Sequence, residues 1–280
     1  MKCQNNTNTD LQKGFTLIEL SIVLVIIGLI VGGVLVGQDL IKASEIRATV
    51  GQIEKYNSAV NTFRSKYNGL PGDLPIASAS AFGLFAMTSG AVGLGDGNGL
   101  LEGGSAAATV GLGETVAFWR HLSDANLVDG QMGTTGNSLL VAASGAATGT
   151  VTTMGQTNAI TKTTPNQSIV VFSYQGINYY EMVPITQMVV AGTYTFGTTG
   201  LTPIQAYNMD VKLDDGMPVT GIVQAQAITA LNTAPTAAAT TTAAKCAVGD
   251  TVGTNPADTY NRNTASGGND PSCGLRFRFN

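Results

Sequence analysis

The chain has 280 residues, a formal net charge of −4 and a pI near 4.9. Its Lys and Arg residues are scattered and form no basic stripe, which argues against nucleic-acid binding. The chain contains one His, which argues against His-based metal or acid–base chemistry.

An apolar run covers residues 15–36 and holds only three polar side chains, Thr16, Glu19 and Ser21. As a helix, the run would be roughly 33 Å long, enough to cross a bilayer core. A short, weakly positive segment precedes it, which is typical of a signal peptide or a signal anchor. Because no small-residue cleavage site follows Val36, we interpret the run as retained, with its positive flank in the cytoplasm.

The sequence KGFTLIELSIVLVIIG at the start of this run resembles the class III leader junction of type IV prepilins and type II secretion pseudopilins. The resemblance implies that residues 1–14 are a leader, which a prepilin peptidase removes at the bond between Gly14 and Phe15. N-methylation of Phe15 by the peptidase/methyltransferase system follows. The resemblance also implies that Glu19, with Thr16 beside it, acts in assembly by pairing with the N-terminal ammonium of a neighbouring subunit.

The physical chemistry of Glu19 agrees with that implied role. A carboxylate in a membrane segment costs about 3 kcal/mol or more, and such residues are usually paired and functional. Cleavage after Gly14 would create an amine at the same depth, which a second copy of the chain could present to Glu19. The alternative is a structural carboxylate that the helix dipole stabilises or that reaches the membrane interface. The intact motif around Glu19 favours the assembly role over this structural alternative.

The apolar run continues into an amphipathic pattern. Apolar residues recur at steps of three and four from Ile46 to Tyr67, and the Asn-Gly pair that follows is a helix stop. The pattern predicts one helix over residues 15–67, about 80 Å long. Its first part, 15–36, would be the membrane-spanning and polymerising half, and the second half would pack on a globular domain over residues 68–280.

A loop-rich region follows, and within it DGNGLLE is a candidate calcium site. Asp96, Asn98 and Glu102, with the Leu100 carbonyl between them, place oxygen ligands near alternate positions. Some pseudopilins bind calcium. The stretch departs from the EF-hand pattern because Ala107 stands where the bidentate glutamate belongs. The alternative is a Gly-rich turn in which Asp and Asn stabilise the backbone.

The stretch GETVAFWRHLSDANLVDG predicts a short second helix with Phe118 and Leu122 facing a core. His121, Ser123 and Asp124 lie on this helix, but their spacing does not direct them at one reacting atom. No nucleophile–base pair, phosphate loop or paired acidic site stands out elsewhere in the sequence. We therefore do not predict an enzyme.

Strand patterns begin near residue 168. SIVVFSYQGINYYEMV predicts a hairpin around Gln175-Gly176, ITQMVVAGTYTF predicts an edge strand, and CGLRFRF predicts a last strand. Alternation from Tyr207 to Leu213 predicts a further strand. Three or four antiparallel strands on the amphipathic half of the helix give an α+β fold, pilin-like, with the hydrophobic half of the helix protruding.

An acidic turn follows the strand predicted over 207–213. Asp210, Asp214 and Asp215 are a second candidate cation site. Asp and Gly at a turn need no ligand to explain them, however, and the turn interpretation is favoured.

The cysteines divide between the two ends of the chain. Cys3 lies in the leader that the resemblance implies, so cleavage leaves the pair Cys246 and Cys273, which would oxidise outside the cytoplasm. Their bridge would close a polar, Gly-rich loop over 246–273 and contribute about 3 kcal/mol. The alternative interpretation is that the two cysteines bind a metal or are reactive, but the sequence has no Cys-x-x-Cys. Type IV pilins end in a comparable disulfide-bounded loop.

Three function classes are compatible with these features. The first is a structural subunit of a type IV pilus-like filament; the second is a minor pilin or type II secretion pseudopilin; the third is a membrane-tethered enzyme, which lacks a catalytic constellation. We expect the first, with the chain in the bacterial inner membrane before assembly and in an extracellular pilus afterwards. Its partners would be other copies of itself, the prepilin peptidase and the inner-membrane assembly machinery, in adhesion or secretion.

Overall fold

A computed structural model describes residues 15–86, 95–103, 113–130, 132, 150–151, 158–163, 166–189, 193–227, 246–248, 259–263 and 268–279. The chain divides after Ser44 into two compact units. The predicted α+β architecture, a long N-terminal helix with a small antiparallel sheet, is confirmed.

The long predicted helix forms α1, Leu17–Tyr67. It begins two residues after the predicted start because Thr16 caps it, as shown by the bonds between Thr16 and Glu19. It ends at Tyr67, and Asn68, with a positive φ of 55°, has the left-handed conformation that terminates helices. Among the described residues, α1 is the one helix long and apolar enough to cross a membrane.

Two short helices follow. Helix α2 spans Ile76–Ala81 and was not predicted. Helix α3 spans Glu114–Asp124, inside the stretch where the sequence predicts a second helix. Phe118 and Leu122 are both fully buried, as predicted from their spacing.

A five-stranded antiparallel sheet forms the centre of the second unit, in the order β2-β3-β4-β10-β7. Its strands are β2 Ala159–Ile160, β3 Ser168–Tyr174, β4 Ile177–Val183, β7 Val223–Ala227 and β10 Cys273–Phe279. The predicted hairpin is confirmed as β3–β4. Gln175 and Gly176 both have positive φ, 50° and 76°, as the tight turns of such hairpins require.

The stretch ITQMVVAGTYTF forms two strands where one edge strand was predicted. Strands β5, Ile185–Val189, and β6, Thr193–Phe196, pair with each other, and β1, Thr150–Val151, pairs with β5 in a separate three-stranded sheet. Strands β8, Ala247–Val248, and β9, Thr259–Tyr260, form a third, two-stranded sheet.

The strand predicted from Tyr207 to Leu213 is wrong, because these residues belong to helix α4, Pro203–Leu213. Thr202 and Gln205 form a capping box that starts the helix, with Pro203 at its first turn. The alternation that suggested a strand was coincidental. The fully buried positions of α4 include Ala206 and Met209, which are spaced as a helix face requires.

Each face of the central sheet covers a core. The first core joins the sheet to residues 46–67 of α1, with Phe63 fully buried in it. Leu275, Phe277 and Phe279 of β10 enter this core, which confirms the predicted face of the last strand. The second core lies on the other face and contains Val116, Val170, Phe172, Tyr179, Val183 and Ile185.

Candidate functional site

The first candidate site is the start of α1. Glu19 Oε2 accepts hydrogen bonds from the Thr16 amide at 2.8 Å and from the Thr16 hydroxyl at 2.7 Å. The Glu19 amide donates in return to the Thr16 hydroxyl at 3.3 Å. This reciprocal cap gives Glu19 a structural role at the helix N-terminus that differs from the alternatives weighed from the sequence, the helix dipole and the membrane interface. The assembly role of Glu19 stays a prediction, and Gly14 lies outside the described residues.

The helix around Glu19 exposes an unusual amount of apolar surface. Every large apolar side chain from Phe15 to Ile41 is at least 50% exposed. Water-exposed proteins rarely carry apolar patches of this size, because the surface gains free energy when lipid or protein covers it. Length and composition allow this part of α1 to cross a membrane.

The candidate calcium loop is held by its own side chains. The Asn98 side-chain amide donates to Asp96 at 3.0 Å and to Glu102 at 3.4 Å, and its oxygen accepts from the Leu100 amide at 2.7 Å. The Asn98 backbone amide also donates to Asp96. These are the bonds expected of the alternative, a Gly-rich turn. Calcium binding stays a prediction.

Two carboxylates that the sequence did not single out surround this loop. Each accepts two backbone N–H bonds of 2.8 Å: Asp73 from Gly97 and Gly99, and Glu114 from Gly95 and Glu102. Burial raises the pKa of Asp73 to about 6 and that of Glu114 to about 8, and the backbone bonds oppose both shifts. Together with Asp96 they form an acidic cluster whose ligand atoms lie within 4.8 Å of one another.

His121 has a structural role in this region. Its Nδ1 accepts the Gly72 N–H at 2.9 Å, so its Nε2 carries the proton and donates to the Phe85 carbonyl at 2.7 Å. Burial lowers the pKa of His121, which keeps the ring neutral. The neighbouring Ser123 bonds to the backbone of Gly130. Among the residues that the structure describes, no catalytic constellation therefore forms around His121.

The carboxylates of the second acidic group, Asp210, Asp214 and Asp215, accept hydrogen bonds from the chain itself. These bonds agree with the turn interpretation favoured from the sequence. Asp210 accepts from the Gly216 amide at 3.1 Å and from the Tyr260 hydroxyl at 2.8 Å. Asp214 caps the amides of Ile222 and Val223. Burial raises the pKa of Asp210 to about 7, against the hydrogen bond from Tyr260.

The two C-terminal cysteines form a disulfide. Cys246 and Cys273 have Cα atoms 5.1 Å apart and are almost completely buried. Tyr260, inside the loop that they close, bonds to Asp210 of α4. The guanidinium of Arg262 lies over the ring of Tyr207 at 4.3 Å. The described part of the loop is thus fastened to α4 as well as to β10.

Comparison with known proteins bears on the N-terminal segment. Residues 10–35 match the model of the prokaryotic N-terminal methylation motif. No curated protein and no solved structure matches the chain. The match supports a protein of the type IV pilin and pseudopilin group and membrane anchoring before assembly. This chain therefore carries the class III leader and methylation motif of type IV prepilin-like proteins.

Proposed function

We propose that this chain is the structural subunit of a type IV pilus-like filament. A prepilin peptidase cleaves between Gly14 and Phe15, and Phe15 is N-methylated. Residues 15–36 hold the subunit in the inner membrane until the assembly machinery adds it to a helical filament of other copies outside the cell. The observation that carries the proposal is a carboxylate, Glu19, inside an exposed apolar helix that matches the methylation motif.

Two properties of the helix support polymerisation. Its apolar side chains need lipid around them before assembly, and the same side chains of other copies can replace that lipid afterwards. Among the described residues, Thr16 donates to Oε2 of Glu19, so Oε1 is left for a donor from another copy. A Phe15 ammonium is such a donor, and a charge-assisted bond in an apolar surrounding is strong.

A minor pilin or a type II secretion pseudopilin is the alternative function. Both would use the same N-terminal segment and differ in abundance and in the filament that they join. The disulfide between Cys246 and Cys273 favours an exported subunit, because such bonds persist outside the cytoplasm.

Mass spectrometry of filaments sheared from the source cells tests the proposal. We expect a dominant species that begins at N-methylated Phe15 and is two hydrogens lighter than the reduced chain. The same species found only in membranes, or as a trace among other pilins, would favour the minor pilin or pseudopilin. An unprocessed chain that keeps Met1 would contradict the whole proposal.

Variants of Glu19 test the role of the carboxylate separately. Glu19→Gln keeps the size of the side chain and removes its charge, and we expect few or no filaments from it. Ser21→Ala is the matched control, since Ser21 is polar, lies in the same apolar segment and, within the described part of the chain, donates to the Ile18 carbonyl of its own helix. Normal filament yield from Glu19→Gln would show that no ammonium partner is needed.

A further inference from the structure

The second core contains a buried ion pair. Arg276 of β10 and Glu181 of β4 are direct cross-strand partners, and both side chains are fully buried. The Arg276 Nη2 and Glu181 Oε2 atoms lie 3.6 Å apart. This separation exceeds a normal hydrogen bond, so the contact between them is coulombic.

Glu181 is a buried carboxylate that lacks hydrogen-bond donors among the described residues. Neither of its carboxylate oxygens accepts a hydrogen bond from any group in the described part of the chain. Its neighbour on β3 is the apolar Val170, and Val183 follows on the same face of β4. A desolvated carboxylate without donors is destabilised in its ionised form, and uptake of a proton removes that penalty.

Arg276 is placed so that its charge can be buried when Glu181 is neutral. The guanidinium carbon lies 5.5 Å from the ring centroid of Phe172, 5.7 Å from that of Tyr174 and 5.3 Å from that of Tyr179. Aromatic faces attract a guanidinium at these distances. Arginine does not lose its proton in proteins, so Glu181 is the member of the pair that titrates.

We propose that Glu181 is a proton-operated latch on the C-terminal strand. With a proton on Glu181, β10 is held firmly between β4 and β7, and loss of the proton loosens it. Strand β10 also carries Cys273, so the latch acts on the strand to which the disulfide loop is attached. The latch does not depend on whether the chain forms a filament.

The direction of the pH effect follows from the burial of the pair. Burial raises the pKa of Glu181 to about 8, and the charge of Arg276 opposes the shift. A glutamate in an unfolded chain has a pKa of about 4.3. Between these values the folded chain keeps a proton that the unfolded chain has lost. The stabilisation is therefore complete below about pH 4 and is lost as pH rises through about 8.

Strands β3 and β10 and helix α3 pack around Glu181 on this face of the sheet. On β10, Arg276 is buried opposite Glu181, and Arg278, on the same face, is exposed opposite Tyr179. The rings of Tyr174 on β3 and Tyr179 on β4 lie beside the Arg276 guanidinium. Helix α3 contributes the apolar Val116 to this core. Among the described residues, Arg276 is the charge that acts on Glu181.

The first test follows the proton directly. The full chain, labelled with carbon-13 at the side-chain carboxyls of its six glutamates, is titrated in detergent micelles by NMR. We expect two signals with midpoints near pH 8, one that disappears in Glu181→Gln and persists in Glu114→Gln, and one from Glu114 that does the reverse. A Glu181 signal that titrates near pH 4 would overturn the latch, and wild-type protein in which no glutamate titrates above pH 7 would do so even if Glu181→Gln fails to fold.

The second test measures the consequence for the fold. Urea unfolding of the full chain is compared at pH 6 and pH 9 for wild type, Glu181→Gln and the exposed control Glu54→Gln. Near pH 6 to 7 the proton of Glu181 contributes about tenfold per pH unit to the folding equilibrium constant. We expect this share of the pH dependence to vanish in Glu181→Gln and to remain in Glu54→Gln. Equal pH dependence in all three proteins would contradict the proposal.

Discussion

Replacing His121 tests whether one neutral imidazole fastens the loops between α1 and α3. The ring accepts the Gly72 N–H, donates to the Phe85 carbonyl and stacks on Phe63 with centroids 6.0 Å apart. His121→Ala removes both bonds and leaves a donor and an acceptor without a partner. Each orphaned buried group costs about 1–3 kcal/mol, so we expect a loss of about 4 kcal/mol in the free energy of unfolding.

Two further substitutions of His121 test its two hydrogen bonds separately. His121→Asn places an oxygen close to the position of Nδ1 and can keep the bond from Gly72. His121→Gln places an amide nitrogen close to Nε2 and can keep the bond to Phe85. We therefore expect each to cost about half as much as His121→Ala. Ser65→Ala, on the exposed side of α1, is the control and should change stability by less than about 0.5 kcal/mol.

The assay uses the fluorescence of Trp119, the only tryptophan, which is fully buried on the same helix. Burial lowers the pKa of His121, so below about pH 6.5 the unfolded chain binds a proton that the folded chain does not. Wild-type stability should therefore lose this contribution as pH falls, and the Asn and Gln variants should lack that loss. A cost below about 1 kcal/mol for His121→Ala would refute the reasoning.

Four further predictions concern other elements. Thr202→Ala should lower the free energy of unfolding in urea by about 1 kcal/mol, because it removes the side-chain cap of α4. Thr202→Ser keeps the hydroxyl and should retain most of that stability. Cys273→Ser should lower stability by about 3 kcal/mol, and a reducing agent should have no further effect on this variant. Glu19→Ala should leave the unfolding of the second unit unchanged but abolish filaments; assembly at wild-type yield would be the contrary result. Calcium should raise the melting temperature of wild type more than that of Asp96→Asn, and an equal response would argue against the candidate calcium loop.

Local patterns determined much of this fold. The length of α1 follows from an uninterrupted apolar run and a 3.6-residue period, and its end follows from an Asn-Gly pair. The β3–β4 hairpin follows from two strand-forming runs around Gln175-Gly176. The class III leader rests on a short contiguous motif. All of these depend on residues that are neighbours in sequence.

The strand wrongly predicted over residues 207–213 shows where a local pattern misleads. Alternation over seven residues is compatible with a helix as well as with a strand. The signal that distinguishes the two lies in residues 202–205, just before the alternating stretch. Thr202, Pro203 and Gln205 are the cap, first-turn proline and capping-box partner of a helix. These three residues predict the start of α4.

By itself the sequence determined the apolar helix with its carboxylate, the leader motif, the hairpin and the face of β10 that enters the first core. Only the tertiary structure decided that Glu114 and Asp73 meet around the calcium candidate loop, and that Arg276 is buried against Glu181. Periodicity reports which face of an element is buried. It does not report which distant element covers that face, and the partner of a buried charge is set by that long-range packing.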